Sequence, residues 1–295
     1  YGIGVGGFGF FIAQFVPYAV LRKLAVPILL IALLLLAAVF TKQFGFQAGG
    51  AQRWIYYKSI FFQPSELAKL AIVIYLAALF ARKRDILINF WHGVFPFILV
   101  VGCILALIIL EPDLGTVGII ALTAGTMFFV AGGKLTYIGA GLALAIALFF
   151  VLVQIAPYRM NRLTVFLHPE LDPKGIGYQT QQALIAAGSG GIWGLGLGES
   201  RQKYSFLPES VGDSIFAITA EELGFVGASM LIALFVLFTL RCYHIAYRAP
   251  DLFGRYLAVG IASWIGIQAF INMAAISSLV PLTGVTLPFI SYGGS

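Results

Sequence analysis

Apolar residues run along this chain in long unbroken blocks instead of alternating or recurring once per helical turn. The blocks cover about 1–20, 25–41, 66–81, 93–110, 114–131, 135–155, 215–240 and 255–276, and another starts near 283. A bilayer-spanning helix needs roughly 20 mostly apolar residues, so the pattern predicts a series of spanning helices. The 66–81 block is short and predicts a tilted or half-inserted one. A closed β-barrel is excluded, because barrel strands alternate apolar and polar positions. Polar residues gather around 42–65, in the turn Glu111-Pro112-Asp113, and from about 156 to 214. The expected fold is an all-α polytopic membrane protein, one domain over 1–295 with a large loop at 156–214.

Composition agrees. Of 295 residues, 60% are hydrophobic and 10% charged, with mean hydropathy +0.97. A soluble domain carries about 45–50% apolar and about 25% charged residues. The net charge of +6 does not indicate nucleic-acid binding, because the basic residues sit between apolar blocks and not on one face. Instead they orient the chain. Arg22 and Lys23, then Arg82, Lys83 and Arg84, then Lys134, then Arg241, Arg248 and Arg255 occupy alternate loops, which places those loops on the cytoplasmic side. The segment 42–65, the Glu111 turn and the 156–214 loop then face outward. Cys103 and Cys242 lie in or beside apolar blocks and indicate packing, not disulfides. His92, His168 and His244 are too scattered for a metal cluster. No signal peptide is expected, and both ends read as cuts through membrane segments. An inverted repeat, the mark of many secondary transporters, is not evident.

Ionisable groups at membrane depth are costly and have partners or functions, so four polar places stand out. In the first, Gly49-Gly50-Ala51-Gln52-Arg53-Trp54 precedes Gln63-Pro64-Ser65-Glu66-Leu67-Ala68-Lys69. Ser65 is placed to cap a helix starting at Glu66, and Glu66 and Lys69 share a face. Either this is a helix start with a local ion pair, or Arg53 and Lys69 hold a lipid-linked phosphate. Trp54 also suits an interface anchor. The second place is Glu111-Pro112-Asp113-Leu114-Gly115-Thr116, a turn with Asp113 capping the next helix or a binder of cations.

In the third, Arg159 and Arg162 share a face if helical. Residues 178–187 predict a short amphipathic helix whose Gln179, Gln181 and Gln182 suit sugar hydroxyls or amides. The glycine-rich run 188–198 lacks the GK[ST] ending of a phosphate loop, and its glycines suit a tight backbone path against membrane helices. In the fourth, Asp213 stands where the outer loop turns into an apolar helix, with Glu209 shortly before it and Glu221 and Glu222 two turns into the span. At least one of that pair should face the interior. Residue chemistry alone leaves Asp213 equally open to capping and to general-base work.

Together these segments resemble the SEDS family (shape, elongation, division and sporulation; FtsW/RodA/SpoVE). The resemblance is carried by GAQRW at 50–54, QPSELAKL at 63–70 and EPDLGT at 111–116. It continues through YRMNRLTVFLHPELDPKGIGYQTQQALIAAGSGG, GLGLGESRQKYSFLPES, DSIFAITAEELGF and PLTGVTLPFISYGGS, in family order over nearly the whole chain. The outer-loop pattern is closer to the FtsW branch than to RodA. The resemblance implies a ten-helix bundle, here without its first helix and with its last only begun. It further implies a peptidoglycan glycosyltransferase that polymerises lipid II at the outer face of the bacterial cytoplasmic membrane, with a class B penicillin-binding protein as partner.

A divalent cation, Mg or Mn, is implied, and no organic cofactor. The family's essential aspartate maps onto Asp213, although its usual setting is His-Thr-Asp-Phe and this chain has Val211-Gly212-Asp213-Ser214. Arg53, Trp54, Lys69 and Glu209 match family positions tied to function, and Arg159 and Arg162 are further candidates for the substrate diphosphate. A lipid II flippase, or a scaffold that only recruits the penicillin-binding protein, are the alternatives.

Overall fold

A computed structural model describes residues 2–41, 45–48, 51–57, 60–82, 87, 90–155, 157–172 and 175–292. Its helices are α1 (Gly2–Phe15), α2 (Ala19–Ala38), α3 (Pro64–Phe80), α4 (Phe95–Leu110), α5 (Leu114–Val130), α6 (Leu135–Ile155), α7 (Pro157–Leu167), α8 (Ile176–Ser189), α9 (Gln202–Ser205), α10 (Ile215–Tyr247) and α11 (Leu252–Ile276). Among the described residues, five helical stretches are long and apolar enough to cross a membrane: Ala19–Ala38, Phe90–Leu110, Leu135–Gln154, Ile215–Tyr247 and Leu252–Ile276. The fold is thus a polytopic helical membrane protein, as the apolar blocks predict.

The chain divides into two compact units. The first takes Tyr1–Leu135 with Thr239–Trp264, the second Thr136–Phe238 with Ile265–Tyr292. In the first, α2 buries Ala25, Leu29, Ala32 and Leu36, a stripe at helical spacing, and packs along α3. Helix α3 is buried on nearly every face, which suits the unbroken apolar run after its first two turns. Phe80 of α3, Phe97 of α4 and Phe128 of α5 cluster in tilted and edge-to-face pairs, with ring centroids 4.8 Å apart for Phe97 and Phe128.

Several expectations change here. Arg22 and Lys23 are not in a loop but in the first turns of α2, which begins right after Pro17 and Tyr18; long basic side chains reach the interface from within a helix. Arg241 and Arg255 are likewise helical. The segment before α3 holds a small sheet that the sequence pattern does not anticipate: β1 (Gly45–Ala48), β2 (Ala51–Tyr57) and β3 (Ile60–Phe62) pair antiparallel in the order β1-β2-β3. Aromatic Phe46, Tyr56 and Phe61 cluster on it, with 4.8 Å between Tyr56 and Phe61; cross-strand aromatic pairs outweigh the weak alternation of the sequence there. Ser65 does not cap α3. The helix starts two residues earlier than expected, at Pro64, with Gln63 at the cap position, because proline is well placed at a first helical residue. Residues 283–292 do not begin a helix, being interrupted by Pro288 and by left-handed backbone at Gly284 and Phe289. Gly49, Gly50, Lys83, Arg84, Lys174, Gly293, Gly294 and Ser295 lie outside the described residues.

The second unit is organised by a break in α10. Gly224 has φ 67° and ψ −168°, which interrupts the helical ladder inside an apolar span. The freed groups are taken by the glycine-rich loop after α8. Leu195 and Gly196 N–H donate to the carbonyls of Glu221 and Glu222, both at 3.0 Å, and Phe225 and Val226 N–H donate to Gly191 and Ile192 carbonyls at 2.9 and 3.2 Å. Backbone polar groups in a bilayer must be satisfied internally, and this crossing does so. It demands contact with no side chain between. A Cβ at Gly194 would stand 2.1 Å from the Glu222 carbonyl, and one at Gly224 would stand 2.4 Å from the Gly194 nitrogen. The close backbone path expected of residues 188–198 is therefore present. Around it pack Ala183 and Ala186 of α8, Phe216, Ala217 and Ala220 of α10, and Ala269 and Met273 of α11.

Gly194→Ala should destabilise the protein by at least about 2 kcal/mol, since it adds both overpacking and left-handed strain. Thermal unfolding in detergent, compared with Ala substitution at the exposed Leu197 nearby, measures it.

Candidate functional site

Asp213 lies in the turn between α9 and α10. That turn is tied down by its backbone: Glu209 O accepts from Gly212 N at 2.9 Å and from Ser214 N at 3.2 Å, with Glu209 itself in left-handed conformation at φ 49°. Asn272 of α11, almost fully buried, donates from Nδ2 to Asp213 O at 2.8 Å and to Val285 O at 2.7 Å. Ser291 Oγ donates to Gly212 O at 2.7 Å, and Tyr292 N–H donates to Val211 O at 2.7 Å. Three ties thus hold the turn against the segment 285–292, one of them bridged by Asn272.

The Asp213 side chain is half-buried. Its Oδ1 accepts from Gln179 Nε2 and from Ser214 Oγ, each at 3.3 Å, so these two side chains, and not helix amides, are its partners. Burial first, then the Glu209 carboxylate, pushes its pKa up to about 6, while the Ser214 and Gln179 hydrogen bonds pull the other way. The amphipathic helix predicted at 178–187 forms, as α8. It starts where Asp172 Oδ2 accepts from Ile176 N at 2.8 Å, and this start puts Gln179 beside Asp213. Two residues that sequence reasoning did not single out, Ser214 and Asn272, complete the setting. The departure from His-Thr-Asp-Phe signals the first; a lone Asn in an apolar helix signals the second.

Glu221 is buried and faces the interior, as expected of one of the pair. Its carboxylate accepts from Ser200 Oγ at 2.6 Å and from the amides of Arg201 and Gln202 at 3.0 and 3.4 Å, capping α9. Glu222 stands 3.9 Å from Lys203 Nζ. Arg159 and Arg162 both lie on α7, which is helical. Arg159 is buried and donates to Leu152 O at 3.2 Å, at the C-terminal end of α6 where a cation is favoured. Arg162 donates to Leu282 O at 3.4 Å.

Arg53, Trp54 and Lys69 belong to the first unit. Arg53 on β2 donates from Nε to Glu111 O at 3.0 Å and from Nη2 to Pro112 O, clipping the sheet to the turn between α4 and α5. Trp54 pairs across the sheet with Phe46. Lys69 is 2% exposed and ion-paired with Glu66 at 2.9 Å, as the three-residue spacing predicts, and its Nζ lies 5.2 Å from the Trp264 ring centre. For Arg53 and Lys69 this geometry is that of a clip and of a buried lysine paired with a partly exposed glutamate.

In that same turn Asp113 caps α5, accepting from Thr116 N at 3.1 Å and Thr116 Oγ1 at 2.8 Å. Glu111 is fully buried, and neither carboxylate oxygen has a hydrogen-bond partner among the described residues. Desolvation, then the Asp113 charge, raises its pKa to about 8 against the opposing pull of Arg53. No cluster of three His, Cys, Asp or Glu side chains able to hold a metal occurs among the described residues.

A helical membrane protein with one half-buried, amide-supported carboxylate at the mouth of a span is the class these features define. The chain belongs to the FtsW/RodA/SpoVE family of cell cycle proteins, whose family model matches residues 2–295. It is 42% identical over 292 residues to "Probable peptidoglycan glycosyltransferase FtsW" of Geobacter sp. (strain M18), covering 99% of this chain and 79% of that protein. It resembles a solved structure reported as "Structural coordination of polymerization and crosslinking by a peptidoglycan synthase complex" with TM-score 0.80 and 30% identity, covering 99% of this chain and 82% of the other. It also resembles the rod shape determining protein RodA of Thermus thermophilus, with TM-score 0.71, 30% identity, and coverage of 99% and 79%.

The Glu111 pKa carries a stability consequence. A carboxyl whose folded pKa is raised binds more protons folded than unfolded between its two pKa values, so stability falls as pH rises through that window. Relative to Glu111→Gln, which carries no charge, the unsubstituted protein should lose thermal stability as pH rises from about 4.5 to about 8. Paired melting curves of the two proteins across that range test it.

Proposed function

We propose that this chain is a peptidoglycan glycosyltransferase that polymerises lipid II at the outer face of the bacterial cytoplasmic membrane, with Asp213 as general base. The observation that carries the reading is the Asp213 carboxylate itself. It is half-buried, held through one oxygen by Gln179 and Ser214, and has a pKa drawn up towards neutrality. A base works best when its pKa lies near the operating pH.

In the reaction, the 4-hydroxyl oxygen of an acceptor GlcNAc attacks the anomeric carbon of a donor MurNAc, and Asp213 takes the hydroxyl proton. The bond from that carbon to the undecaprenyl diphosphate oxygen breaks, and the diphosphate leaves with the electron pair, inverting the anomeric centre. A positioned base contributes typically about 10²–10⁴-fold. Stabilising charge on the departing diphosphate often contributes more, and Arg162 on α7, near the segment that covers the Asp213 turn, is our candidate in the second unit. Any divalent cation, as the family resemblance implies, would take the donor's diphosphate oxygens as its main ligands, which is how Mg²⁺ commonly binds. A class B penicillin-binding protein is the proposed partner. The likeness to a peptidoglycan synthase complex supports it.

Asp213→Asn should lower lipid II polymerisation by about 10²-fold or more while leaving the protein folded. For the unsubstituted enzyme, kcat/KM should fall about tenfold per pH unit below about 6, because only the ionised carboxylate accepts a proton. Glycan-chain gels of reconstituted full-length protein with its partner measure both. Headgroup translocation without glycan chains, or full activity of a folded Asp213→Asn protein, overturns the reading.

A further inference from the structure

The Asp213 carboxylate has two unlike oxygens. Oδ1 receives Gln179 Nε2 at 3.3 Å and Ser214 Oγ at 3.3 Å, and Gln179 Nε2 also reaches Ser214 Oγ at 3.1 Å. The available donors close this triangle. The Gln179 amide has two N–H groups, one for each oxygen, and the single hydroxyl proton of Ser214 goes to Asp213 while its lone pairs accept from Gln179. No described side chain donates to Oδ2, and the carboxyl's remaining donor is the backbone N–H of Asp213 itself. The neighbour of Oδ2 is the backbone of Gly284, where even an added Cβ would stand 3.8 Å away. Ser214 has no exposed surface, so its hydroxyl has no bulk water to turn to.

We propose that Gln179 and Ser214 are positioning residues that together hold Oδ1 of Asp213, leaving Oδ2 as the oxygen that takes the acceptor proton. The inference rests on the assignment of Asp213 as the base. The turn does not depend on the Gln179 amide for its shape, because Asn272, Ser291, Tyr292 and Glu209 fix its backbone separately. Loss of the amide therefore frees the carboxylate to rotate without releasing the turn.

Both hydrogen bonds favour the ionised carboxylate, so removing either raises the pKa of Asp213. The charged group facing it is Glu209 of its own turn. From the elements packed against it come the uncharged Gln179 of α8, Asn272 of α11 and Ser291 of the covering segment, and the Arg162 guanidinium is engaged by the Leu282 carbonyl of that segment.

The test is steady-state polymerisation of lipid II by full-length protein with its partner in liposomes, as a function of pH. Gln179→Met, which keeps side-chain length but donates nothing, should lower kcat about tenfold, change KM less than about twofold, and move the acid limb up by about one pH unit. Ser214→Ala should move it in the same direction by less. Wild-type kcat with an unmoved acid limb in both variants overturns the inference, and so does a lower kcat with no shift of the limb, which is the mark of a structural role. Should Gln179→Met fail to fold, Ser214→Ala decides alone, since it removes one buried atom. Asp213→Asn, run alongside, separates the two levels. If it is inactive while the variants behave as wild type, only the positioning fails; if it is active, the base assignment fails first.

Discussion

The second unit depends on how an interrupted helix keeps its backbone hydrogen-bonded inside an apolar span. The break of α10 at Gly224 frees carbonyls and amides that a bilayer will not solvate, and the loop after α8 supplies partners on both sides of it. Only a glycine-lined crossing lets two backbones come that close. Once the loop is stitched there, the path of the chain between it and α10 is constrained as well. Glu221, in the turn just before the break, caps α9, and Ser210 donates back to the Lys203 carbonyl at 3.3 Å. The chain then arrives at residues 209–214 along a fixed path, so the carboxylate of Asp213 is delivered by a backbone device about three turns away in α10.

Four acidic side chains illustrate how environment assigns role. Glu221 is buried with three donors and works as a cap, whereas Glu111 is buried with none on its oxygens among the described residues and its pKa rises to about 8. Glu66 pairs with a buried lysine. Asp213 falls between these cases, with one oxygen satisfied and one open, and a pKa drawn up to about 6. A fully satisfied carboxylate is a poor base and a fully desolvated one stays protonated; the intermediate case suits proton transfer near neutral pH. The functional reading therefore rests on the site and not on the fold alone, which by itself does not determine activity.

Much of this was legible in the residues. Unbroken apolar blocks specify membrane helices whatever their packing, because no other structure satisfies that many apolar residues and their backbone groups at once. The Glu66–Lys69 pair, the Asp113 cap and the short helix carrying Gln179 are local, set by spacings of three or four residues within one element. The glycine run was recognisable as a close backbone path, though not what it would meet. The sheet at 45–62 escaped, since its strands are short and their aromatic pairing is a cross-strand matter.

What tertiary structure alone decided is every contact between residues far apart in the chain. Gln179 reaches Asp213 across 34 positions, Asn272 reaches it across 59, and Arg53 meets the turn at Glu111 across 58. Sequence spacing carries no information about such meetings, because they depend on how helices pack and where a backbone breaks. The residues by themselves determined a multi-pass helical chain and a short roster of polar candidates. Packing determined that Asp213 would have one oxygen held by two side chains and the other by none among the described residues, and that Arg53 and Lys69 would be tied to partners within their own unit.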